Sequence, residues 1–574
     1  MYNKVSQRIN DIVGDNVKKL AEAFPSAVKD GEVDFEALKE ELGQHTEVGS
    51  EKYELTWAGK KNAKKLAQED IVGRTLKYIP EDSKNADTTE NLYIEGDNLE
   101  VLKLLRQNYY GAIKMIYIDP PYNTGNDFVY NDSFVMSQEE SDVAEGVIAE
   151  SGERFSTNMK TSNRYHANWL NMIYVRLKVA RDLMTEDGVI FISIDDNEQA
   201  NLKKSCDEIF GSQNFIAQLV WERAYAPKND AKFISNSHDY VIMYAKNIDM
   251  FTIGRLPRTE DANARYKNPD NDPRGVWKPS DLSVKTYNAA CDYPITTPSG
   301  RVIEPPAGRC WSLSKNAFLE RLQDNRIYFG ADGNSVPCMK RFLTELKYDG
   351  MAPTSIMAYK EVGHSQEGAK EVTALMDAGV FDGPKPVRLM KRLFILANLG
   401  KESLVLDFFS GSGTIAQALM EFNLERNAVC KFILNQLPEV TDKSGTANKA
   451  GYRNICEIGK ERIRRAGEKI KAEHPDADID IGFKVFRTDD TNIKWNSLID
   501  LGQIDINQME TSPDTIDFMP GAKDVDIVYE LMLRQNDVPL SSKIEQIFAG
   551  GGTLVLTFMR IVIWFVLRQR LQMN

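Results

Sequence analysis

The chain reads as an α/β protein with a doubly wound, mostly parallel sheet, an inserted loop-rich domain and helical terminal regions. Three observations predict this. Apolar runs of strand length alternate with helical patterns from Asn91 onward, and the alternation returns after Gly383. Between Met250 and Met351 it fails, and Pro, Gly, Asn, Arg and Tyr/Trp dominate. Neither half alone has enough strands for a doubly wound fold, so the two are expected to share one sheet. The 574 residues, 42% of them hydrophobic, allow two to four folded units.

The segments follow in order. Residues 1–90 read as a charged helical arm, with Val17, Leu20, Ala21 and Phe24 at helical spacing. Residues 91–250 open with strand Leu92-Tyr93-Ile94, a turn at Glu95-Gly96-Asp97, helix Leu99–Leu105 and strand Met115–Ile118. Helix Trp169–Met184 carries Leu170, Ile173, Tyr174, Leu177 and Ala180 on one face and stops at Asp187-Gly188. Strand Val189–Ile194 comes next, and Asp195 or Asp196 is expected to cap the following helix. Residues 251–350 form the insert. In 351–490 a helix opens at Pro386 and ends by Gly400. Strand Ser403–Phe409, helix Thr414–Phe422 and strand Cys430–Leu434 follow. Residues 491–574 close the chain with an atypical stretch. After Glu545 there is no Asp or Glu, which suggests a shifted reading frame or truncation near Ile544; the alternative is an apolar helix buried at a subunit interface.

Composition excludes several classes. Six cysteines without a paired spacing fit reduced thiols in a cytoplasm rather than a disulfide frame or zinc site, so no metal is expected. The opening residues begin no apolar export signal. The run Leu554–Leu567 has 14 residues, is broken by Arg560, and is too short to cross a bilayer. A formal charge of −13 argues against nucleic acid only if charge is uniform. It is not: residues 222–348 hold 19 Lys and Arg against 15 Asp and Glu. The middle is the basic part.

Two motifs carry chemistry. Asp119-Pro120-Pro121-Tyr122 follows a buried strand, so a carboxylate, two stiffening prolines and an aromatic ring sit where ligands collect in open α/β sheets. That set suits a flat ring bearing an amine. In Asp407-Phe408-Phe409-Ser410-Gly411-Ser412-Gly413-Thr414 a strand turns through glycines into a helix, letting backbone N–H groups approach a ligand. Ala416 stands where a dinucleotide fingerprint needs its last glycine, which favours a ligand without pyrophosphate.

Together the motifs resemble those of amino-methyltransferases that use S-adenosylmethionine, and the amine motif before the cofactor motif resembles the circularly permuted β-group of DNA adenine methyltransferases. Glu95-Gly-Asp-Asn-Leu99, Ile118-Asp-Pro-Pro-Tyr-Asn-Thr-Gly125, Glu361-Val-Gly-His-Ser365, Pro384-Lys-Pro386 and Asp407–Thr414 resemble the modification (Mod) subunit of type III restriction-modification systems. The resemblance runs from about Tyr53 to about Lys543, and makes the insert a target-recognition domain. It implies that Asp119 and the Pro120 carbonyl accept from adenine N6, Tyr122 stacks on the extruded base, Phe409, Gly411 and Gly413 line the methionine end of the cofactor beside Asp407, Asp97 reaches the cofactor adenine, and Lys385-Pro386 open the helix closing the methionine side.

For the ribose an amide or Glu439 must serve, since Asn435-Gln436 replaces the usual acid; Gln436 is chosen. His364 reads as an ordinary loop histidine, and Trp277 and Trp311 as core side chains. Arg255, Arg258, Arg274, Arg301 and Arg309 are candidates for phosphate or guanine contacts. The implied partners are double-stranded DNA, a second copy of the chain and a separate ATP-dependent restriction (Res) subunit. No Walker A pattern occurs in this sequence. Two alternatives stand beside adenine-N6 methylation: cytosine-N4 methylation, whose enzymes usually place Ser at the Asp119 position, and a DNA-recognition module without turnover.

Overall fold

The computed structural model describes residues 10–42 except 30, 54–125, 128–130, 155–157, 164–493 except 228, 230 and 349, 518–534, 538–549, 552–558 and 562–567. It divides into two compact units, residues 255–353 and the remainder.

The larger unit is organised by one ten-stranded sheet. Its strands are β1 (Arg74–Tyr78), β2 (Leu92–Glu95), β3 (Ile113–Ile118), β4 (Met184–Ile194), β5 (Phe215–Glu222), β6 (His238–Ala245), β7 (Ile356–Met357), β8 (Leu404–Asp407), β9 (Lys431–Gln436) and β10 (Lys484–Asp490). Across the sheet they run β7–β5–β6–β4–β3–β8–β9–β2–β10–β1. The six from β4 to β10 are parallel. β6 runs against β4, β5 against β6, and β1 against β10. The two halves do share one sheet, joined where β8 pairs with β3.

The helices of the unit include α1 (Lys60–Gln68), α2 (Asn98–Arg106), α3 (Tyr165–Leu183), α4 (Gln199–Cys206), α5 (Ser365–Leu375), α6 (Val387–Leu396), α7 (Thr414–Arg426), α8 (Ile455–Glu473) and α9 (Asp524–Met532). One layer gathers α1 and α2 on α3, and another gathers α6 and α8 on α7. α3 holds because Leu170, Ile173, Val175, Leu177 and Ala180 are all buried; full burial of an apolar side chain contributes about 1.5–3 kcal/mol.

Several local expectations are corrected. The arm read as helical through residue 90 yields β1 at the sheet edge, where Thr75 and Leu76 are buried and the strand pairs with β10, which outweighs local charge. The expected stop at Asp187-Gly188 is absorbed as a bulge: Ile113 pairs with Met184 and Met115 with Val189. Glu198, not Asp195 or Asp196, precedes α4, and the Asp195 carboxylate accepts the Asn197 N–H at 2.9 Å instead. Pro386 stands one residue before α6, and Asn398 at φ 52 makes the left-handed turn expected near Gly400. The tail is no helix: Lys543–Ala549, Gly552–Phe558 and Val562–Leu567 form an antiparallel meander.

The smaller unit has short antiparallel pairings, with Trp277–Asp281 against Cys338–Phe342 the longest. Its core collects Leu282, Tyr293, Ile295, Ile303, Trp311, Phe318, Ile327 and Phe329. Trp277 and Trp311 are buried, donating to Asp270 Oδ1 (2.9 Å) and Tyr293 O (2.8 Å).

Candidate active site

The order of the strands brings the two motifs together. Val405 lies opposite Met115 and Leu406 opposite Ile116, so parallel β3 and β8 end side by side, with Asp119 following one and Asp407 closing the other. From β3 the chain winds to β4 on one side, and from β8 to β9 on the other, which makes their junction the switch point where open α/β sheets take ligands.

Asp119 is held from both sides. Its Oδ1 accepts the Tyr122 hydroxyl at 2.9 Å, and its Oδ2 pairs with Lys385 Nζ. Lys385, expected to open the helix on the methionine side of the cofactor, lies over the Tyr122 and Trp221 rings, 5.3 and 5.8 Å from their centroids. The Trp169 indole N–H donates to the Pro121 carbonyl at 2.7 Å, which clamps the Pro-Pro turn to α3, and Pro120 is buried. Tyr122 stays half-buried. Burial raises the phenol pKa well above its ordinary value, and neighbouring Asp119 pushes the same way. Nearby, Asp239 pairs with Arg223 at 2.9 Å, and burial pushes its carboxyl up to about 6.

The glycine corner is built differently. Asp407 is buried, accepts the Phe409 N–H at 3.0 Å, and is driven well above the ordinary carboxyl range by burial. It therefore latches its own turn. Gly411 and Gly413 adopt φ of 49° and 76°; a Cβ on either would lie 3.1 Å from Phe381 or Ile463. The Phe409 ring tilts on Phe408 at 5.4 Å. Gln436, expected at a ribose, accepts the Gly411 N–H at 2.8 Å, so this amide holds the turn; its position at the end of β9 puts it directly under the glycines. Asp97 caps α2 through the Glu100 N–H (3.1 Å) and pairs with Arg176 (3.2 Å).

Sequence reasoning missed the residues that brace this corner from afar. Buried Arg462 of α8 donates to Ser412 Oγ and Thr414 Oγ1, each at 2.7 Å, and to Gln417. Burial lowers its pKa to about 10. Glu371 of α5 accepts the Val387 N–H at the start of α6 (2.9 Å), and burial raises it to about 7. No spacing could have shown these pairings, since Arg462 lies 48 residues from Thr414 and Lys385 lies 266 from Asp119. His364 caps α5 by accepting the Glu367 N–H at 3.0 Å.

Comparison with known proteins decides what this crevice belongs to. Residues 113–464 match the DNA methylase family. The StyLTI Mod subunit of Salmonella typhimurium is 38% identical over 443 residues, covering 76% of this chain and 66% of that one. The EcoPI Mod subunit of Escherichia phage P1 is 36% identical, covering 79% and 74%, and the EcoP15I Mod subunit of Escherichia coli 32%, covering 77% and 72%. All three are named as type III restriction-modification enzymes. The chain belongs to the Mod subunits of type III restriction-modification systems. It is thus a DNA methyltransferase whose methyl donor is S-adenosylmethionine.

The residues of this Mod chain fit that donor. Two turn positions admit no Cβ without strain, and Asn435 Oδ1 is buried without a hydrogen-bond partner while its Nδ2 donates to the Ile94 and Gly96 carbonyls at 3.0 Å. An orphaned acceptor next to the glycine turn suits a polar, aminated ligand. Among the described residues no cluster of His, Cys, Asp and Glu could hold a metal, and no helix is long and apolar enough to cross a membrane.

In the smaller unit, Arg274 grips Asp272 bidentately (2.9 and 2.8 Å), Arg309 reaches Asp281 at 3.5 Å and Arg301 donates to Asn334 O at 3.2 Å. Arg258 is engaged as well, donating to Asn263 Oδ1 at 2.7 Å and Ala262 O at 3.3 Å. Arg255 and Arg258 also line a 760 Å³ cleft with Lys278, Arg321, Arg341 and Lys347.

Proposed function

We propose that the chain methylates adenine N6 at a short asymmetric site in duplex DNA, in the cytoplasm, as the recognition and modification subunit of its system. Its partners are a second copy of itself and a separate ATP-dependent Res subunit; in support, the relatives are named as subunits of type III restriction-modification enzymes. The observation that carries the reading is the placement of the Asp119 carboxylate beside the glycine corner on the neighbouring strand.

The chemistry needs acceptors more than a strong base. The lone pair of N6 is conjugated into the ring, so both amine hydrogens must be held while the nitrogen pyramidalises. Asp119 offers one acceptor, with lone pairs left after Tyr122 and Lys385, and the Pro120 carbonyl offers the second. Tyr122 stacks on the extruded base, which offsets part of a flipping cost of a few kcal/mol. Bound S-adenosylmethionine supplies an electrophilic methyl group. Phe409, Gly411 and Gly413 hold the methionine end, Asp97 stands toward the adenine end, and Lys385-Pro386 set the start of α6. Lys385 keeps the Asp119 carboxylate oriented through its ion pair, and alignment in a site of this polarity supplies most of the acceleration. The basic cleft of the smaller unit takes the DNA phosphates.

Incubation with unmethylated genomic DNA and labelled donor, followed by digestion to nucleosides, tests the reading. Label in N6-methyladenine is the expected result. Label in N4-methylcytosine, or DNA binding without label, overturns it.

A further inference from the structure

Phe233 and Ile234 are 86% and 89% exposed, side by side on the connection between β5 and β6. Two such side chains in water forgo the gain of apolar burial, so a partner that covers them gains affinity. The root of this hairpin is well tied. The Arg223 and Ala224 N–H groups donate to Ser237 O at 2.9 and 3.2 Å, and Asn236 Nδ2 donates to Asp196 Oδ2 at 2.6 Å. The Tyr225 ring packs on His364 and Tyr359, with centroids 5.3 and 6.1 Å away.

That root is also a wall of the amine pocket: Trp221 lies under Lys385, and Arg223 pairs with Asp239. Ile234 stands three residues before Ser237, about 10 Å of extended chain. The apolar pair is therefore within reach of a duplex that delivers a base to Asp119. Lys232, its ammonium 5.2 Å from the Phe233 ring, adds a cation beside the apolar tip, which matches a base stack bordered by phosphates. A patch of two side chains falls far short of the roughly 1,000 Å² that a stable contact between protein copies needs.

We propose that Phe233 and Ile234 form a wedge that enters the base stack and fills the gap left when the target base turns out toward Asp119. Apolar insertion of this kind offsets unstacking. The proposal rests on the adenine-methylation reading.

The test uses the full chain with Phe233 and Ile234 both replaced by alanine, and two duplex oligonucleotides carrying the site mapped with the unaltered protein. In one the target adenine is paired; in the other it faces an abasic position, where little remains to be broken. Single-turnover methylation should fall on the paired duplex by a factor more than three-fold greater than on the abasic one. Affinity for S-adenosylmethionine and melting temperature should stay unchanged, and Phe233→Trp should keep the paired rate. A smaller difference between the duplexes overturns the wedge, as does an unaltered rate accompanied by loss of self-association, which would assign the patch to a second copy. Should the unaltered protein methylate no adenine, the underlying reading falls as well; should it methylate while the double variant behaves identically, the wedge alone falls.

Discussion

Asp119 and Asp407 stand at the carboxyl ends of adjacent parallel strands, yet they do opposite work. Asp119 keeps about a quarter of its side chain exposed and is balanced by a cation, whereas Asp407 is buried, has no counter-ion in hydrogen-bond reach among the described residues, and serves its own backbone. Position in the topology assigns a residue to the site; the neighbours decide whether it faces substrate or holds the frame. Lys385 is the neighbour that makes the difference.

Substitutions can break that contrast. Asp119→Ala removes the acceptor proposed for the reacting amine, and methyl transfer should fall by about 10²–10³-fold, with cofactor affinity retained by equilibrium dialysis. If cofactor binding fell in parallel, Asp119 would be a frame residue too. Lys385→Met leaves Asp119 without its cation; a drop in kcat of roughly 10–100-fold is expected from a misplaced acceptor, seen in single-turnover rates. Gly413→Ala forces a Cβ into a left-handed turn against Ile463, at a cost of about 1–2 kcal/mol, so cofactor affinity should weaken about ten-fold by titration calorimetry.

Asp407→Asn is the mildest change and the sharpest test. Burial raises the Asp407 pKa in the folded protein, so the neutral acid is favoured there. A raised carboxyl pKa means the folded state binds more protons than the unfolded chain above pH 3.8, and stability from this group declines as pH rises. The neutral amide should therefore leave activity within about three-fold and flatten the loss of melting temperature between acid and neutral pH. An unchanged pH dependence would show that Asp407 is ionised and closer in kind to Asp119.

Much of the site was legible in the chain because its key features are local. A strand ending in Asp-Pro-Pro-Tyr and a strand ending in Asp-Phe-Phe-Ser-Gly-Ser-Gly each state a corner, and a corner needs only a few consecutive residues. Arg462, Glu371 and Trp169 were invisible, since each acts through a partner brought close by the sheet order. Gln436 shows the same limit from the other side. Its place at the end of β9 was clear, but only the Gly411 N–H donated to its Oε1 reveals that its amide holds the turn.

Sequence alone determined the two strand corners and the loop-rich insert, because side-chain type and short-range periodicity suffice for these. The tertiary structure alone decided that β3 and β8 are neighbours, that Lys385 pairs with Asp119 and that the arm of residue 74 onward joins the sheet. Pairing between strands and burial of charge depend on contacts hundreds of residues apart, whose energies no local pattern encodes.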